Sequence, residues 1–558
     1  MVDTIAPPPP ASAAVASRAA DHGPPVRPAW PARVAWLASL LFALVGALWS
    51  VAVPAYRAPD EAAHLDLVLY LAEGNSYPAY DRRFFGEEVG LDTERHLIDL
   101  SQPWPRFDAA DAPDRRELPD VDDLGGTTPD AEARRSGSRR AGRPYVYNQM
   151  PQHPPLYYEA MATVLRVERW LLPGDALPPL GRELHLLRLV NVLLVAPLSV
   201  LAWAATVRMG GGRRAAAVAA LLPLCVPQLS HVGAAVNNDN LLTLLGGLLA
   251  VGLAGAARGR RGARTDVVVG VTLGLALLTK AFAVMFVPGV VAAYAAGAWT
   301  TRRWRAQGRG LALAGAVAGA VGTWWWIHNW IREGEPAPTT ESLTRTVEQR
   351  PRGFTAEPVA FMWTFAGRIV SRVWAWIGFG TPKFTFDPWV VAGATAAVAG
   401  ATVLALATAA RGRNTERGAR RVDLALAWLP VLLVAAFVAR RAWGLYETTG
   451  HYAFIQGRYL FCALVAPAAV VAIGAARALG RWAFVVVLAF GLAGQAWMLS
   501  VVVRGSWSGS GTFGAVDGML AWSPWPSPVI LAVAAACVGA TAALVVASFR
   551  SDPTAAAG

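Results

Sequence analysis

Apolar residues along this chain gather in long unbroken runs rather than in alternating or heptad patterns. Each run is about 20 residues, enough to cross a bilayer core of about 30 Å as a helix. Only helices and closed barrels satisfy their backbones in lipid, and uninterrupted runs select helices. The runs fall at residues 36–53, 184–207, 214–231, 239–257, 266–281, 283–299, 311–331, 388–410, 422–440, 458–476, 481–503 and 526–548. The prediction is an all-α polytopic membrane protein with about 12 transmembrane helices. The transmembrane domain spans 32–548, between a Pro- and Ala-rich tail, 1–31, expected to be disordered, and a short tail, 549–558. The tight pairs 266–281/283–299 and 214–231/239–257 could instead be tilted or re-entrant.

Two long polar stretches interrupt the pattern, 54–182 and 333–387. In the first, residues 59–74 read as an amphipathic helix stopped by Gly74. Residues 104–143 mix Asp, Arg, Pro and Gly and predict a mobile insert. Residues 153–172 open with HisProProLeuTyrTyr and suit a helix lying on the membrane surface. Trp324, Trp325 and Trp326 suit an interfacial belt.

Composition agrees: 54% of the 558 residues are hydrophobic and only 16% charged. The net charge of +12 is topogenic rather than a nucleic-acid footprint. Arginines cluster after the second, fourth, sixth and eighth runs (Arg208, Arg213 and Arg214; Arg258, Arg260, Arg261 and Arg264; Arg302, Arg303, Arg305 and Arg309; Arg411 to Arg421). Every second loop is therefore basic, which puts those loops and both termini in the cytoplasm and both long polar stretches outside. Cys225, Cys462 and Cys537 all lie in apolar runs, so no disulfide framework is expected. The first run lacks the layout of a cleaved signal and is expected to stay as an anchor.

The candidate chemistry gathers on the predicted outer side. Asp60 and Glu61 follow the first run, with His64 one helical turn on. A carboxylate there can act as general base toward an acceptor hydroxyl, although Pro and acids also open ordinary helices. Asn237, Asn238 and Asp239 fill a short outer loop, with more polarity than one helix cap needs. Lys280 and Arg458 are cations on the side the basic loops avoid, suited to an anion or to snorkelling. His153 and Tyr157 sit in the HisProProLeuTyrTyr segment, where a tyrosine could stack on a sugar or merely anchor at the interface. Gln456 precedes Arg458. No Walker loop, dinucleotide fingerprint or zinc motif occurs.

Taken in order, ProAspGluAlaAlaHis, HisProProLeuTyrTyr, ArgLeuValAsn, AsnAsnAspAsn, LeuLeuThrLys and GlnGlyArgTyr resemble the GT-C superfamily of integral-membrane glycosyltransferases, which use polyprenyl-phosphate sugars. Within it, they look similar to a bacterial family of predicted membrane proteins. The resemblance implies that Asp60 matches the general base, with Glu61 as partner or substitute, and that Lys280 and Arg458 hold the donor phosphate. His64, His153, Tyr157, Asn238, Asp239 and Gln456 are the further expected substrate-binding residues. The resemblance leaves a divalent cation open, since some members bind one through such acids and others need none. The TrpTrpAsp motif of oligosaccharyltransferases is absent.

The expected function is inverting transfer of a single sugar from a polyprenyl-phosphate donor to a glycan, lipid or protein acceptor at the outer face of a bacterial plasma membrane. Membrane lipids are expected partners and nucleic acid is not. The alternative is a polytopic transporter or a flippase for lipid-linked glycans. It is disfavoured by the lack of internal repeats and by polar groups that keep to one face.

Overall fold

The computed structural model describes residues 29–93, 148–172, 179–339, 353–378, 383–409, 418–507 and 511–549, apart from positions 81, 87, 91, 92 and 261. The expected insert 104–143 and most of the tail 1–31 lie outside the described residues. Among those described, the named elements are helices, and Ile377 and Phe384 pair in an isolated bridge.

In chain order the helices are α1 (Ala29–Ala52), α2 (Glu61–Ala72), α3 (Leu156–Leu171), α4 (Leu180–Val195), α5 (Leu198–Arg208), α6 (Arg213–Leu221), α7 (Pro227–Gly233) and α8 (Asp239–Ala256). They continue with α9 (Ala263–Leu277), α10 (Phe286–Thr301), α11 (Trp304–Glu333), α12 (Pro358–Trp374), α13 (Pro388–Thr408) and α14 (Arg421–Thr449). A 3₁₀ turn, Gly457–Ala463, leads into α15 (Val465–Leu479), α16 (Ala483–Ser506), α17 (Gly511–Trp522) and α18 (Ser527–Phe549).

Among the described residues, nine helical stretches are long and apolar enough to cross a membrane, or ten with the broken pair Arg213–Cys225 and Pro227–Gly233 counted as one. The dozen expected is not reached, for physical reasons. Pro227 breaks the 214–231 run, and its halves meet at 67°. The 266–281 run yields only the 15 residues of α9. The 458–476 run begins as a 3₁₀ turn, and what remains joins the next run in a stretch of 42 residues.

The first long loop also differs from expectation at one end. Helix α2 is not amphipathic: all its residues but Tyr70 are buried, including Glu61, His64 and Asp66. Asp66 reaches this depth because Arg83 closes a fork on it at 2.7 and 3.0 Å, with Asn148 and the Gly86 amide completing the shell. Helix α3 keeps the expected two-sided character. Tyr157, Tyr158, Met161, Ala162 and Leu165 are buried, while Trp170 and Leu171 are exposed.

Three apolar cores result. One joins α1, α4 to α7, α15 and α16; a second joins α8 to α12 and α14; the third packs α2 and α3 on α4. The second depends on a close approach: a Cβ added to Gly246 of α8 would stand 1.8 Å from the Cys462 carbonyl oxygen. That approach seats the 3₁₀ turn carrying Arg458 against α8. The basic end is distinct from the Asp239 end. Arg258, just past α8, and Arg420 both reach Asp423, at 3.5 and 2.8 Å. Eighteen helical residues separate Asp239 from that cluster, about 27 Å at about 1.5 Å per residue.

Gly246→Val should destabilise the protein by about 1–3 kcal/mol, since the backbone rather than a flexible side chain must yield. Denaturation midpoints in detergent would check this.

Candidate active site

The chain leaves α1 through Val53 and Pro54 and turns into α2 at Asp60. Two residues on this path hold the left-handed backbone without being glycine, Tyr56 (φ 63°) and Asp60 (φ 62°). Asp tolerates that region better than most side chains, but the conformation persists only where its surroundings impose it. Arg188 of α4 does much of the imposing. Its Nε and Nη2 donate to Glu61 at 2.8 and 2.6 Å, and its remaining protons go to the carbonyls of Ser50, Val53 and Pro54. The backbone amides of Tyr56 and Val236 also donate to Glu61. Both side chains are almost wholly buried. Glu61 therefore ties the start of α2 to α1, α4 and the loop before α8, and both its oxygens are occupied by four donors. That is a different position from the base expected of it.

Asp60, its neighbour, faces a different set of groups. Arg458 donates to Asp60 Oδ2 at 2.6 Å and stands 3.5 Å from Asp239 Oδ2. Lys280 Nζ lies 2.6 Å from Asp239 Oδ1 and 3.3 Å from Asn238 Oδ1. Asn237 donates to the Pro59 carbonyl and accepts from the Asp239 amide, which clasps the two acidic segments together. Four charges from four separate segments thus alternate in sign and sum to zero. Three are nearly sealed, at 5% to 8% side-chain exposure, and Asp60 is the opening at 22%. Lys280 and Arg458 are not the uncompensated cations the sequence suggests, because each already has a carboxylate.

A neutral polar strand continues from this cluster. Asn238 Nδ2 reaches the Tyr158 hydroxyl at 3.4 Å, and that hydroxyl lies 3.0 Å from His64 Nδ1, with the two rings stacked. Burial first, then the charges of Lys280 and Arg458, drives the His64 imidazole well below its ordinary value. Burial and the same cations act on His153 in the same direction. His64 is thus held neutral, able to exchange a hydrogen bond with Tyr158 and not to carry charge. His153 accepts a hydrogen bond from Tyr77 through its carbonyl. Tyr157 sets its ring edge-on to those of His64 and Tyr158 and donates its hydroxyl to Asn191 of α4. Gln456 is half-buried next to Arg458 and makes no side-chain hydrogen bond with the described residues.

The structure brings Asp60, His64, Asn238, Asp239, Lys280 and Arg458 together. It adds Tyr158, whose hydroxyl joins Asn238 to His64, beside Tyr157, whose hydroxyl joins α4. Arg188 and Tyr158 entered the sequence reading only inside longer motifs, and Asn237 only as part of its polar loop. Arg188 had a signal, since an arginine inside an apolar run demands a buried partner. The choice between two adjacent tyrosines had none. Among the described residues no group of three or more His, Cys, Asp or Glu could hold a metal ion. Asp60 and Asp239 each place an oxygen on a side-chain cation.

Residues 180–326, which include Arg188, Asn238, Asp239 and Lys280, match the family of dolichyl-phosphate-mannose-protein mannosyltransferases. That match covers about a quarter of the chain. No curated protein matches the chain in sequence. Among solved structures it is similar to ArnT from Cupriavidus metallidurans bound to undecaprenyl phosphate, at 13% identity and a TM-score of 0.45, over 92% of this chain and 75% of that one. It is also similar to the Archaeoglobus fulgidus oligosaccharyltransferase tethered to an acceptor peptide, at 11% identity and a TM-score of 0.37, over 84% of this chain and 55% of that one.

Because folding lowers the His64 pKa, the unfolded chain binds the extra proton and the folded one does not. Stability should be full above about pH 6.5 and fall on acidification below it. His64→Gln should flatten that fall, with His153 leaving part of the slope; thermal midpoints from about pH 7 to about pH 5 would check it.

Proposed function

We propose that this chain is a glycosyltransferase moving a single sugar from a polyprenyl-phosphate donor to a hydroxyl-bearing acceptor, with Asp60 as general base. One observation carries the reading. Of the carboxylates gathered at this end of the bundle, Asp60 is both tethered, by Arg458, and open to its surroundings. Glu61 is saturated by Arg188 and two amides, and Asp239 is nearly sealed. The match of residues 180–326 to mannosyltransferases named for dolichyl-phosphate-mannose supports the donor class.

In the proposed reaction the acceptor oxygen attacks the anomeric carbon and gives its proton to Asp60. The bond from that carbon to the phosphate oxygen breaks, and its electron pair leaves with the lipid phosphate. One displacement of this kind inverts the anomeric configuration. Arg458 keeps the Asp60 carboxylate in one orientation, and Lys280 with Asp239 keeps Arg458 from being drawn off. His64 and Tyr158 offer neutral hydrogen bonds to sugar hydroxyls. The site then faces the outer side of a bacterial plasma membrane, with the arginine-rich loops and both termini in the cytoplasm.

The broken pair α6–α7 is the observation that favours a transporter, since discontinuous helices are common there. Release of free lipid phosphate from a polyprenyl-phosphate sugar by the purified protein separates the two classes.

Asp60→Asn should lower transfer by about 10²–10⁴-fold, as loss of a general base does, with the thermal midpoint of the purified protein measured alongside. Glu61→Gln should instead reduce the yield of folded protein. Transfer by Asp60→Asn at the wild-type rate would remove Asp60 from the chemistry.

A further inference from the structure

The neutrality of the Asp60–Arg458–Asp239–Lys280 cluster raises a question: what compensates the charge on a lipid phosphate? A second group of cations stands beside it. Arg372, in the last turn of α12, has its guanidinium carbon 3.9 Å from the centre of the Trp376 ring, and Lys383 Nζ is 4.4 Å from the same centre. Arg368, one turn before Arg372, lies over Tyr452 and donates to its carbonyl. Arg372 is more than nine-tenths buried; it donates to the Ile455 carbonyl, and its Nε has no hydrogen-bond partner. Among the described residues no carboxylate pairs with any of the three.

The end of a helix accounts for part of this, because its dipole favours cations. It accounts for Arg368 and Arg372 and not for Lys383, which arrives on the return past the Ile377–Phe384 bridge. Partial desolvation first, then the charges of Arg372 and Arg368, pulls the Lys383 ammonium down to about 8, although its side chain stays open to the surroundings. Arg372 and Lys383 share one indole, and Arg368 follows one helical turn away over Tyr452; like charges so grouped are mutually unfavourable, and an anion among them relieves them.

The position is that of a neighbour to the acid cluster. Gly457 packs on Arg372 so closely that an added Cβ would stand 2.2 Å from the Arg372 backbone, and Arg458 is the next residue. Val359, Met362 and Trp363 of α12 and Trp389 of α13 are exposed, an apolar surface along which a hydrocarbon tail can lie.

We propose that Arg368, Arg372 and Lys383 form a second anion subsite, which takes the phosphate of the lipid donor while Lys280 and Arg458 serve the carboxylates. This rests on the transferase reading above and refines it. The phosphodiester of the donor carries one negative charge, and the monoester left after the sugar departs carries up to two. A group of three cations with a guanidinium donor to spare therefore holds the leaving phosphate more strongly than the donor, and favours breaking the anomeric bond.

The test uses the full chain in phosphatidylcholine nanodiscs, with farnesyl phosphate as probe, farnesol as neutral control and phosphatidylglycerol as headgroup control, each read by native mass spectrometry. Lys383→Gln and Arg372→Gln should each weaken farnesyl phosphate at least about tenfold, with farnesol unchanged. Lys383 is exposed, so its variant keeps the test valid if Arg372→Gln folds poorly. Equal farnesyl phosphate binding by wild type and variants overturns the subsite and leaves the transferase reading intact. Phosphatidylglycerol bound in place of farnesyl phosphate, and lost in the variants, also overturns it, as an ordinary headgroup contact. Farnesyl phosphate bound through Lys383, in a protein that transfers no sugar from any polyprenyl-phosphate donor, supports the subsite and sinks the transferase reading.

Discussion

Charge compensation at the end of an apolar bundle is the constraint on which this structure depends. Asp60 with Arg458 and Asp239 with Lys280 place two anions and two cations where few waters reach. Any one of them alone would be costly at that depth, because desolvation outweighs what a weakly polar environment returns. Together they are neutral, and their alternation in sign lets Arg458 touch both carboxylates. The arrangement is all or none. Each group arrives from a different segment, so the cluster exists only when the α1–α2 turn, the loop before α8, the end of α9 and the 3₁₀ turn before α15 are all in place.

Those segments are held by devices that carry no proposed chemistry. Arg188 gathers the end of α1 and the start of α2 through three carbonyls and Glu61. Asn237 donates to the Pro59 carbonyl and accepts from the Asp239 amide with the same side chain. Gly246 admits the Cys462 carbonyl, and Gly457 admits the backbone of Arg372. The left-handed backbone of Asp60 is a consequence: the chain must reverse there to send Glu61 inward and Asp60 toward Arg458. Two adjacent acids thereby acquire opposite fates, one structural and one open.

Much of this was legible in the sequence, and the boundary has physical causes. The helical membrane class follows from run length alone. That Asp60, His64, Asn238, Asp239, Lys280 and Arg458 share one end follows from the arginine-marked loops alternating with theirs. Twelve apolar runs correspond to nine or ten spanning stretches among the described residues, because hydropathy sees apolar runs and not the break at Pro227 or the 3₁₀ turn at Gly457. Helix α2 looked amphipathic because its charged positions have no local partners, whereas those of Asp66, Arg83 and Asn148, lie 17 and 82 residues away. Pairing was the larger blind spot. Lys280 and Arg458 looked like free cations because their carboxylates are 41 and 398 residues distant. The group around Trp376 drew no notice, since arginines near a helix end and a lone lysine are unremarkable until they converge.

The Asp60–Arg458 contact joins the two most distant parts of the site, so it is the most direct test of the whole account. A double-mutant cycle with Asp60→Asn and Arg458→Met, read as unfolding free energy in detergent, measures it. The account predicts a coupling above about 1 kcal/mol, because either change alone strands a poorly hydrated charge and the second relieves it. Effects that add to within about 0.5 kcal/mol would contradict the contact, and with it the site.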